Sequence, residues 1–107
     1  MLVLETVGRR SGAVRRTPLF YLPHPRGFIV VASNHGRDEH PQWYRNLTAS
    51  AEASVAIGRE HARVTARVRD EAERAAEWPR AVAAYPAYAA YERATSRPIP
   101  VVLLRRV

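Results

Sequence analysis

The chain has 107 residues, a length that suits one domain over residues 1–107 and leaves no room for a second. Apolar residues make up 47% of the sequence and charged residues 25%, which is typical of globular proteins and argues against disorder. The absence of cysteine excludes disulfides, iron–sulfur ligation and thiol catalysis, and we expect a cytoplasmic protein. All 17 cationic side chains are arginine and the net charge is +7, which favours a polyanionic ligand: nucleic acid, an anionic membrane surface or a phosphorylated cofactor.

The first third of the chain predicts three consecutive antiparallel strands. They cover Leu2 to Val7, Arg16 to Leu22 and Phe28 to Ala32. Glycine and serine at residues 8–12 provide a tight connection after the first strand. Residues 23–27 are predicted to be a turn, because two prolines there oppose regular strand pairing.

A loop at residues 33–36 leads to a predicted short helix. Asp38 is its predicted N-cap. The apolar residues Trp43, Tyr44 and Leu47 recur at three- and four-residue spacing, which gives this helix one apolar side.

The second half of the chain predicts a hairpin, a helical region and a last strand. The hairpin strands run from Ala53 to Ile57 and from Ala62 to Val68, and they are joined through Gly58. Asp70 then opens a helix with acidic residues in its first turn, which suits the helix dipole. Its apolar side is predicted at Ala75, Trp78 and Val82, with a kink or restart at Pro79. A further helical piece is predicted to begin at Tyr85-Pro86. Pro98 and Pro100 end the helical structure before a last strand from Val101 to Leu104.

These elements amount to about six strands and two to four short helices. Many short strands joined by tight turns favour a small barrel, because closure removes the exposed edges of a sheet. The predicted fold class is therefore mainly β (α+β).

Residues 8–18 form an arginine-rich stretch that contains two glycines. Glycine lets backbone amides approach an anion, and the guanidinium groups are forked donors that suit phosphate or carboxylate. A Walker A loop is excluded, because the glycine spacing differs and the terminal lysine is missing. The stretch predicts an anion site, and a basic hairpin that faces water is the alternative.

Residues 32–36 and 40–47 place hydroxyl, amide and imidazole groups beside an aromatic helix. Such a stretch can border a planar ring, and the alternative is a capped helix with Trp43 in the core. His35 and His40 have no third ligand at recognisable spacing, so no metal site is predicted.

Three tyrosines, Tyr85, Tyr88 and Tyr91, recur every third residue near the C-terminus. On a helix this spacing keeps them within one arc, where they can line one wall of a pocket or, alternatively, fill the core. No Ser-His-Asp set and no paired carboxylates can be assembled, which argues against a hydrolase. Redox chemistry would therefore depend on a bound cofactor.

Taken together, these stretches resemble the deazaflavin-dependent nitroreductase family, the members of the flavin-type split β-barrel proteins that use coenzyme F420. The resemblance covers nearly the whole chain. Its most specific pieces are Gly8-Arg9-Arg10-Ser11-Gly12 with Arg15 and Thr17-Pro18-Leu19, then His40-Pro41-Gln42-Trp43-Tyr44 with Asn46-Leu47, then Trp78-Pro79, and Ala84-Tyr85-Pro86 running to Arg97-Pro98-Ile99-Pro100. It implies an FMN-binding-like split β-barrel that holds coenzyme F420, with FMN as the alternative cofactor.

The resemblance also implies which residues hold the cofactor. Arg10 and Arg15 would bind its phosphate and acidic tail. The deazaflavin ring would be bordered by Ser33, Asn34, Trp43 and Asn46. The full implied set is Arg10, Ser11, Arg15, Pro18, Ala32, Ser33, Asn34, Trp43 and Asn46.

The acceptor pocket is implied to lie under the C-terminal helix. Tyr85, Tyr88 and Tyr91 would be the substrate-facing and catalytic residues, with Phe20 on the opposite wall, and one tyrosine hydroxyl would donate a proton. The implied reaction is hydride transfer from C5 of the reduced deazaflavin to a quinone, an activated alkene or a nitroaromatic compound. The cofactor performs this chemistry, and the protein orients donor and acceptor and excludes water.

Three features depart from the family pattern. Arg10 stands where relatives often have lysine, which changes the reach of the anion contact. His35 stands where relatives often have glycine, which changes how closely the backbone can approach the cofactor. Many relatives also have an N-terminal helical segment before the first strand, whereas this sequence begins at that strand.

These departures keep other functions open. One alternative is a carrier domain that binds F420 or FMN without a reaction, and another is a basic nucleic-acid-binding barrel, although no nucleic acid is expected as partner. Peripheral contact with the inner membrane face is expected only if an N-terminal segment is missing. Pairing into a homodimer is compatible with the predicted strands.

Overall fold

The computed structural model describes all residues 1–107 as one antiparallel sheet of seven strands with three α-helices. The strands are β1 (Leu2–Val7), β2 (Val14–Leu19), β3 (Leu22–His24), β4 (Gly27–Val31), β5 (Glu52–Ile57), β6 (Glu60–Val68) and β7 (Val101–Arg106). The helices are a 3₁₀ turn (Asn34–Gly36), α1 (Gln42–Ala49), α2 (Glu71–Ala84) and α3 (Ala87–Ala94). The spatial order is β2-β1-β5-β6-β7-β4-β3, and the sheet curls into the open half-barrel of a split β-barrel fold, which confirms the predicted fold class.

The strand count is seven rather than six, because the predicted strand from Arg16 to Leu22 is two strands. β2 pairs with β1, whereas β3 pairs with β4 at the far edge of the sheet, with Leu22 opposite Ile29. The prediction that residues 23–27 form only a turn is therefore wrong for Pro23 and His24, which lie in β3, and for Gly27, which begins β4. An edge strand tolerates proline because one side of the strand needs no N–H donor.

The concave face of the sheet carries the larger core. Cross-strand partners point to the same face, so Leu4 of β1 shares this face with Thr17 of β2 and Val55 of β5. α1 covers the face with Trp43 and Leu47, as the helical spacing predicts. The buried residues of this core are Leu2, Leu4, Phe28, Val30, Ala32, Trp43, Leu47, Val55, Val64, Val102 and Leu104.

A second core lies on the opposite face of β4 and β7, under α2 and α3. Alternate residues of these two strands, such as Ile29 and Leu103, point into it. Both strands are thus buried on both faces, which explains their continuous apolar runs. Its buried members are Ile29, Val31, Ala81, Tyr88, Ile99, Val101 and Leu103.

α2 begins as predicted and differs along its length. Asp70 and Glu73 form a reciprocal capping box. The helix continues through Pro79 to Ala84, so the predicted restart is wrong. Proline has no N–H, so the Ala75 carbonyl lacks its usual helical partner. Ala75 and Pro79 are both exposed, which leaves this carbonyl near solvent. Ala75 consequently does not belong to the buried side, whereas Glu77 does.

Two other helix boundaries show how remote contacts replace local ones. α1 starts at Gln42 after Pro41, so Asp38 is not its N-cap. The Asp38 carboxylate instead accepts a hydrogen bond from the Thr95 hydroxyl, at 3.0 Å. α3 starts after Pro86, as predicted.

None of the helices combines the length and the apolar character needed to cross a membrane.

Candidate functional site

A groove of about 740 Å³ lies between the β1–β2 hairpin and α1. Arg15 is paired with Thr6 across the hairpin, so its side chain starts on the face that α1 covers. The amide of Asn46 in α1 donates to the Thr6 hydroxyl at 3.2 Å, which ties the helix to the hairpin. The groove is lined by Gly8, Arg9, Arg10, Ser11, Val14, Arg15, Arg16, Thr17, Gln42, Trp43, Arg45 and Asn46.

The hairpin turn that forms one rim of this groove is closed by its own hydrogen bonds. The Gly8 N–H donates to the Ala13 carbonyl at 2.7 Å, and the Gly12 N–H donates to the Gly8 carbonyl at 2.8 Å. Gly12 has φ +72°, a conformation that favours glycine. The Ser11 hydroxyl accepts from the Ala13 N–H at 3.1 Å, so this side chain holds the turn.

The groove is strongly cationic, because five arginines and no carboxylate line it. Arg16 is paired with Glu5 on the outer side of the hairpin, and Arg9 donates to the side chains of α1. The side chains of Arg10, Arg15 and Arg45 have no ion-pair or hydrogen-bond partner in the protein. These free guanidinium groups can bind a ligand that carries several negative charges.

A second compartment, the aromatic compartment, has a volume of about 630 Å³ and adjoins the groove. It shares Thr17, Gln42 and Trp43 with the groove. The ring of Tyr85 lies 4.8 Å from that of Tyr88 and 6.4 Å from that of Tyr91, and the three side chains form one wall of this compartment, the tyrosine wall. Tyr88 is also a buried member of the second core. The compartment also contains the polar or charged side chains of Ser33, Asn34, His35, Arg37, Glu39 and His40.

Two of the tyrosine hydroxyls have altered proton affinities. Burial, with smaller contributions from Tyr85 and Tyr91, raises the pKa of Tyr88 to about 12. Hydrogen bonding with the Tyr85 hydroxyl, and to a smaller extent burial, raises the pKa of Tyr91. Both hydroxyls therefore remain protonated at neutral pH and can act as hydrogen-bond donors.

The loop that faces the tyrosines has an unusual backbone. Asn34 and His35 both have positive φ, 46° and 57°, a left-handed conformation that few non-glycine residues adopt and that asparagine and histidine tolerate better than most. The Asn34 amide donates to the Glu39 carbonyl at 2.9 Å and thereby closes the loop. Gly36 packs so closely on α3 that a Cβ there would lie 3.0 Å from the Tyr91 backbone.

Most of the predicted site residues line one of these two compartments. Those in the groove are Arg10, Ser11, Arg15, Trp43 and Asn46. Those in the second compartment are Pro18, Phe20, Ser33, Asn34, Trp43, Tyr85, Tyr88 and Tyr91.

Three predicted positions differ in detail. Ala32 is fully buried and lines neither compartment. The polar atoms of Asn46 are already occupied by Thr6 and by Arg9, so this side chain shapes the groove. Phe20 stacks on Tyr85, with ring centroids 4.6 Å apart, and so belongs to the tyrosine wall rather than to an opposite one.

The sequence interpretation missed several lining residues. Gln42 and Arg45 lie one helical turn apart on the groove side of α1, a signal that helical spacing from Trp43 could have supplied. His40 lines the aromatic compartment, and its ring contacts the side chain of Arg97, which follows α3 in the chain. The contact between these two residues joins positions 57 apart in the sequence, and no local pattern indicates it.

Comparison with known proteins identifies the relatives of this architecture. A family model described as F420H(2)-dependent quinone reductase matches residues 1–106. Among curated proteins of Mycobacterium tuberculosis, the F420H(2)-dependent quinone reductase Rv1261c is 35% identical over 98% of this chain and 72% of its own length. The protein Rv3178, provisionally named as a reductase of the same kind, is 42% identical over 97% of this chain and 87% of its own length.

Solved structures show the same relationship. An F420-H2 dependent reductase (FDR-A) superposes with a TM-score of 0.87 at 37% identity, covering 97% of this chain and 92% of that chain. A structure described as a domain-swapped dimer gives a TM-score of 0.88 at 37% identity, covering 97% and 78%. The haem storage protein HutZ of Vibrio cholerae, at 14% identity and a TM-score of 0.74, shares the fold alone.

Proposed function

The chain belongs to the F420H(2)-dependent quinone reductase family, and from this premise we propose that it reduces a quinone within the aromatic compartment while the arginine groove holds the tail of coenzyme F420. Coenzyme F420 is the cofactor of this oxidoreductase family. The observation that carries the proposal is the junction of a cationic groove with an aromatic compartment at Trp43.

The residues of the groove fit the chemistry of the coenzyme. A phosphate and a carboxylate tail need several cationic donors without competing carboxylates. Arg10, Arg15 and Arg45 provide free guanidinium groups, and no acidic residue lines the groove. Trp43, which lines both compartments, provides an aromatic surface where the ring system would begin.

The tyrosine wall would bind and orient the acceptor. Phe20, Tyr85, Tyr88 and Tyr91 present aromatic surface to a planar quinone and restrict the access of water. When bound, the reduced coenzyme supplies a hydride at C5. Reduction of a quinone to a hydroquinone also consumes one proton, and the hydroxyls of Tyr85, Tyr88 and Tyr91 are the donors that we assign to this step.

The acceptor class is set by shape and polarity, because a flat ring with carbonyl oxygens can stack on tyrosines and accept their hydrogen bonds. Activated alkenes and nitroaromatic compounds are flat and electron-poor as well. We expect them to react more slowly than quinones if hydrogen bonding to a carbonyl contributes to binding.

The proposal is tested by measuring turnover directly. Reduced coenzyme F420 is mixed anaerobically with the protein and a naphthoquinone, and the return of the oxidised coenzyme's absorbance is followed. The protein should accelerate this return above the protein-free rate, and a nitroaromatic compound and an activated alkene are assayed in parallel. Saturable coenzyme binding without acceleration by any acceptor would contradict a reductase and leave a carrier.

The ligand class is tested in a separate titration. Oxidised F420, FMN and a short oligonucleotide are titrated at matched salt, and binding is followed by fluorescence. We expect saturable binding of F420. Tighter binding of the oligonucleotide, with a steep salt dependence and exclusion of F420, would instead support a nucleic-acid-binding barrel.

A further inference from the structure

Arg97, which lies between α3 and β7, holds the loop that precedes α1 through its guanidinium group. Its Nε donates to the Arg37 carbonyl at 2.8 Å, and its Nη2 donates to the Ser33 carbonyl at 2.7 Å. Its Nη1 donates to the Ala32 carbonyl at 3.2 Å. No carboxylate lies within ion-pair distance of this side chain, so its donors serve the loop rather than a counter-ion.

The same Nη1 atom lies 3.1 Å from Nδ1 of His40. A guanidinium group can only donate, so Nδ1 of His40 must accept, and the proton of the neutral ring must be on Nε2. Burial, followed by the positive charges of Arg97 and Arg45, lowers the pKa of His40. At neutral pH the ring is therefore a neutral imidazole with one fixed tautomer.

The position of His40 makes this tautomer useful. The residue lines the aromatic compartment, and its ring packs on Tyr44 with centroids 4.8 Å apart. Nε2 has no hydrogen-bond partner in the protein, and one N–H of the nearby Asn34 amide is bound to the Glu39 carbonyl. A neutral imidazole N–H can polarise a carbonyl to which it donates without adding a charge to the pocket.

We propose that the Nε2–H of His40 donates a hydrogen bond to a carbonyl oxygen of the quinone acceptor, and that Arg97 is the positioning residue that fixes the required tautomer. This inference rests on the proposed quinone reductase function. It adds a donor from the loop before α1 to the hydroxyl donors of the tyrosine wall.

Two substitutions separate the two nitrogens of the ring. In His40→Asn the side-chain oxygen can take the place of Nδ1 and still accept from Arg97, but nothing replaces Nε2–H. In His40→Gln the amide nitrogen can take the place of Nε2–H, while the acceptor for Arg97 is lost. His61→Asn, at an exposed histidine of β6, is the matched control.

The first readout needs neither coenzyme nor acceptor. ¹⁵N NMR of the histidine-labelled full chain should show an unprotonated Nδ1 and a protonated Nε2 for His40 at neutral pH. Arg97→Met, which removes the donor to Nδ1, should produce a mixture of the two tautomers. A protonated Nδ1 in the wild-type protein would overturn the proposal.

The second readout is the affinity for a naphthoquinone, followed by quenching of tryptophan fluorescence, together with KM and kcat. We expect His40→Asn to raise the quinone Kd and KM about tenfold, which corresponds to one charge-free hydrogen bond of about 1.4 kcal/mol. His40→Gln should stay within about threefold of the wild type, and F420 affinity should change less than twofold in both variants. Equal quinone affinity of His40→Asn and the wild type would overturn this inference alone, whereas a wild-type protein that never oxidises the reduced coenzyme with a quinone would overturn the proposed function.

Discussion

The groove and the aromatic compartment share Trp43 but are built in different ways. The groove comes from one hairpin and the helix that packs on it. Its arginines lie in a turn closed by local hydrogen bonds (Arg9 and Arg10), in β2 (Arg15 and Arg16) and in α1 (Arg45). The aromatic compartment is assembled from the loop before α1 and the segment around α3, which Arg97 joins across 57 to 65 positions of sequence. The hairpin turn of the groove therefore depends on local chemistry, whereas the aromatic compartment depends on tertiary contacts throughout.

This difference predicts that stability and coenzyme affinity can be changed separately. Groove arginines that have no partner contribute little to folding, because no native contact is lost when they are removed. Substitutions that detach α2 and α3 from the sheet should destabilise the fold while leaving the hairpin turn intact. The variants below test this separation.

The largest expected effect is that of Glu77→Ala in α2. Glu77 forms two hydrogen bonds of 2.9 Å with Arg69, and both side chains are only 9% exposed. Removing one partner leaves a buried guanidinium with only Glu73 as counter-ion, so we expect a loss of about 3 kcal/mol in the free energy of unfolding. Urea unfolding measures this loss.

Glu71→Ala is the matched control, because Glu71 is an exposed glutamate in the first turn of the same helix. It should change the free energy of unfolding by no more than about 0.5 kcal/mol. Under conditions where both variants are folded, F420 affinity should remain within about twofold of the wild type. A large loss of affinity in Glu77→Ala would show that the two regions are not separable.

The next largest effect is expected on coenzyme binding, from a substitution at Arg15. We expect Arg15→Ala to raise the Kd for oxidised F420 by about 10- to 100-fold, because a hydrogen bond between charged groups contributes about 1.5–3 kcal/mol. The free energy of unfolding should change by less than about 0.5 kcal/mol, since the side chain has no partner in the protein. Fluorescence titration and urea unfolding are measured on the same sample.

Arg59→Ala is the control for charge, because Arg59 is an exposed arginine in the β5–β6 turn, outside both compartments. It removes the same charge from the chain without removing a groove donor. If Arg59→Ala weakened F420 binding as much as Arg15→Ala, overall charge rather than the groove would account for binding.

A smaller effect on stability and on coenzyme affinity is expected from alanine at two turn glycines. Gly12 has φ +72° and Gly58 has φ +58°, and a Cβ at either position would contact no atom within 4 Å. Alanine at each position therefore introduces backbone strain alone, about 1–2 kcal/mol of stability. Only Gly12→Ala should also weaken F420 binding, by a few-fold, because its turn places Arg10 and Arg15.

Urea unfolding and F420 titration of Gly12→Ala and Gly58→Ala test this comparison. Equal effects of the two variants on coenzyme affinity would mean that the shape of the hairpin turn does not position the arginines.

The same contrast explains how much the sequence could predict. The arginine turn, the Asp70 cap of α2 and the tyrosine arc depend on residues within a few positions of one another, and local patterns indicated all three. The second strand was misjudged because its division at residues 20–21 reflects two different pairing partners, β1 and β4. Asp38 likewise suited a helix cap by type, but the hydroxyl of Thr95 is its partner in the fold.

The smallest expected effect is the dependence of stability on pH through His40. Burial and two arginines, Arg97 and Arg45, lower the pKa of His40 in the folded protein below its ordinary value of 6.5. The unfolded chain then binds more protons between these two pKa values, so the stability that this residue contributes is complete above about pH 6.5 and is lost as the pH falls through the folded pKa. His40→Gln should flatten the fall in the free energy of unfolding between about pH 7 and pH 5, whereas His61→Gln, at an exposed histidine, should retain the wild-type slope. Urea unfolding at each pH measures the slope, and a His40→Gln slope as steep as that of the wild type would show that burial and the two arginines do not keep the ring neutral.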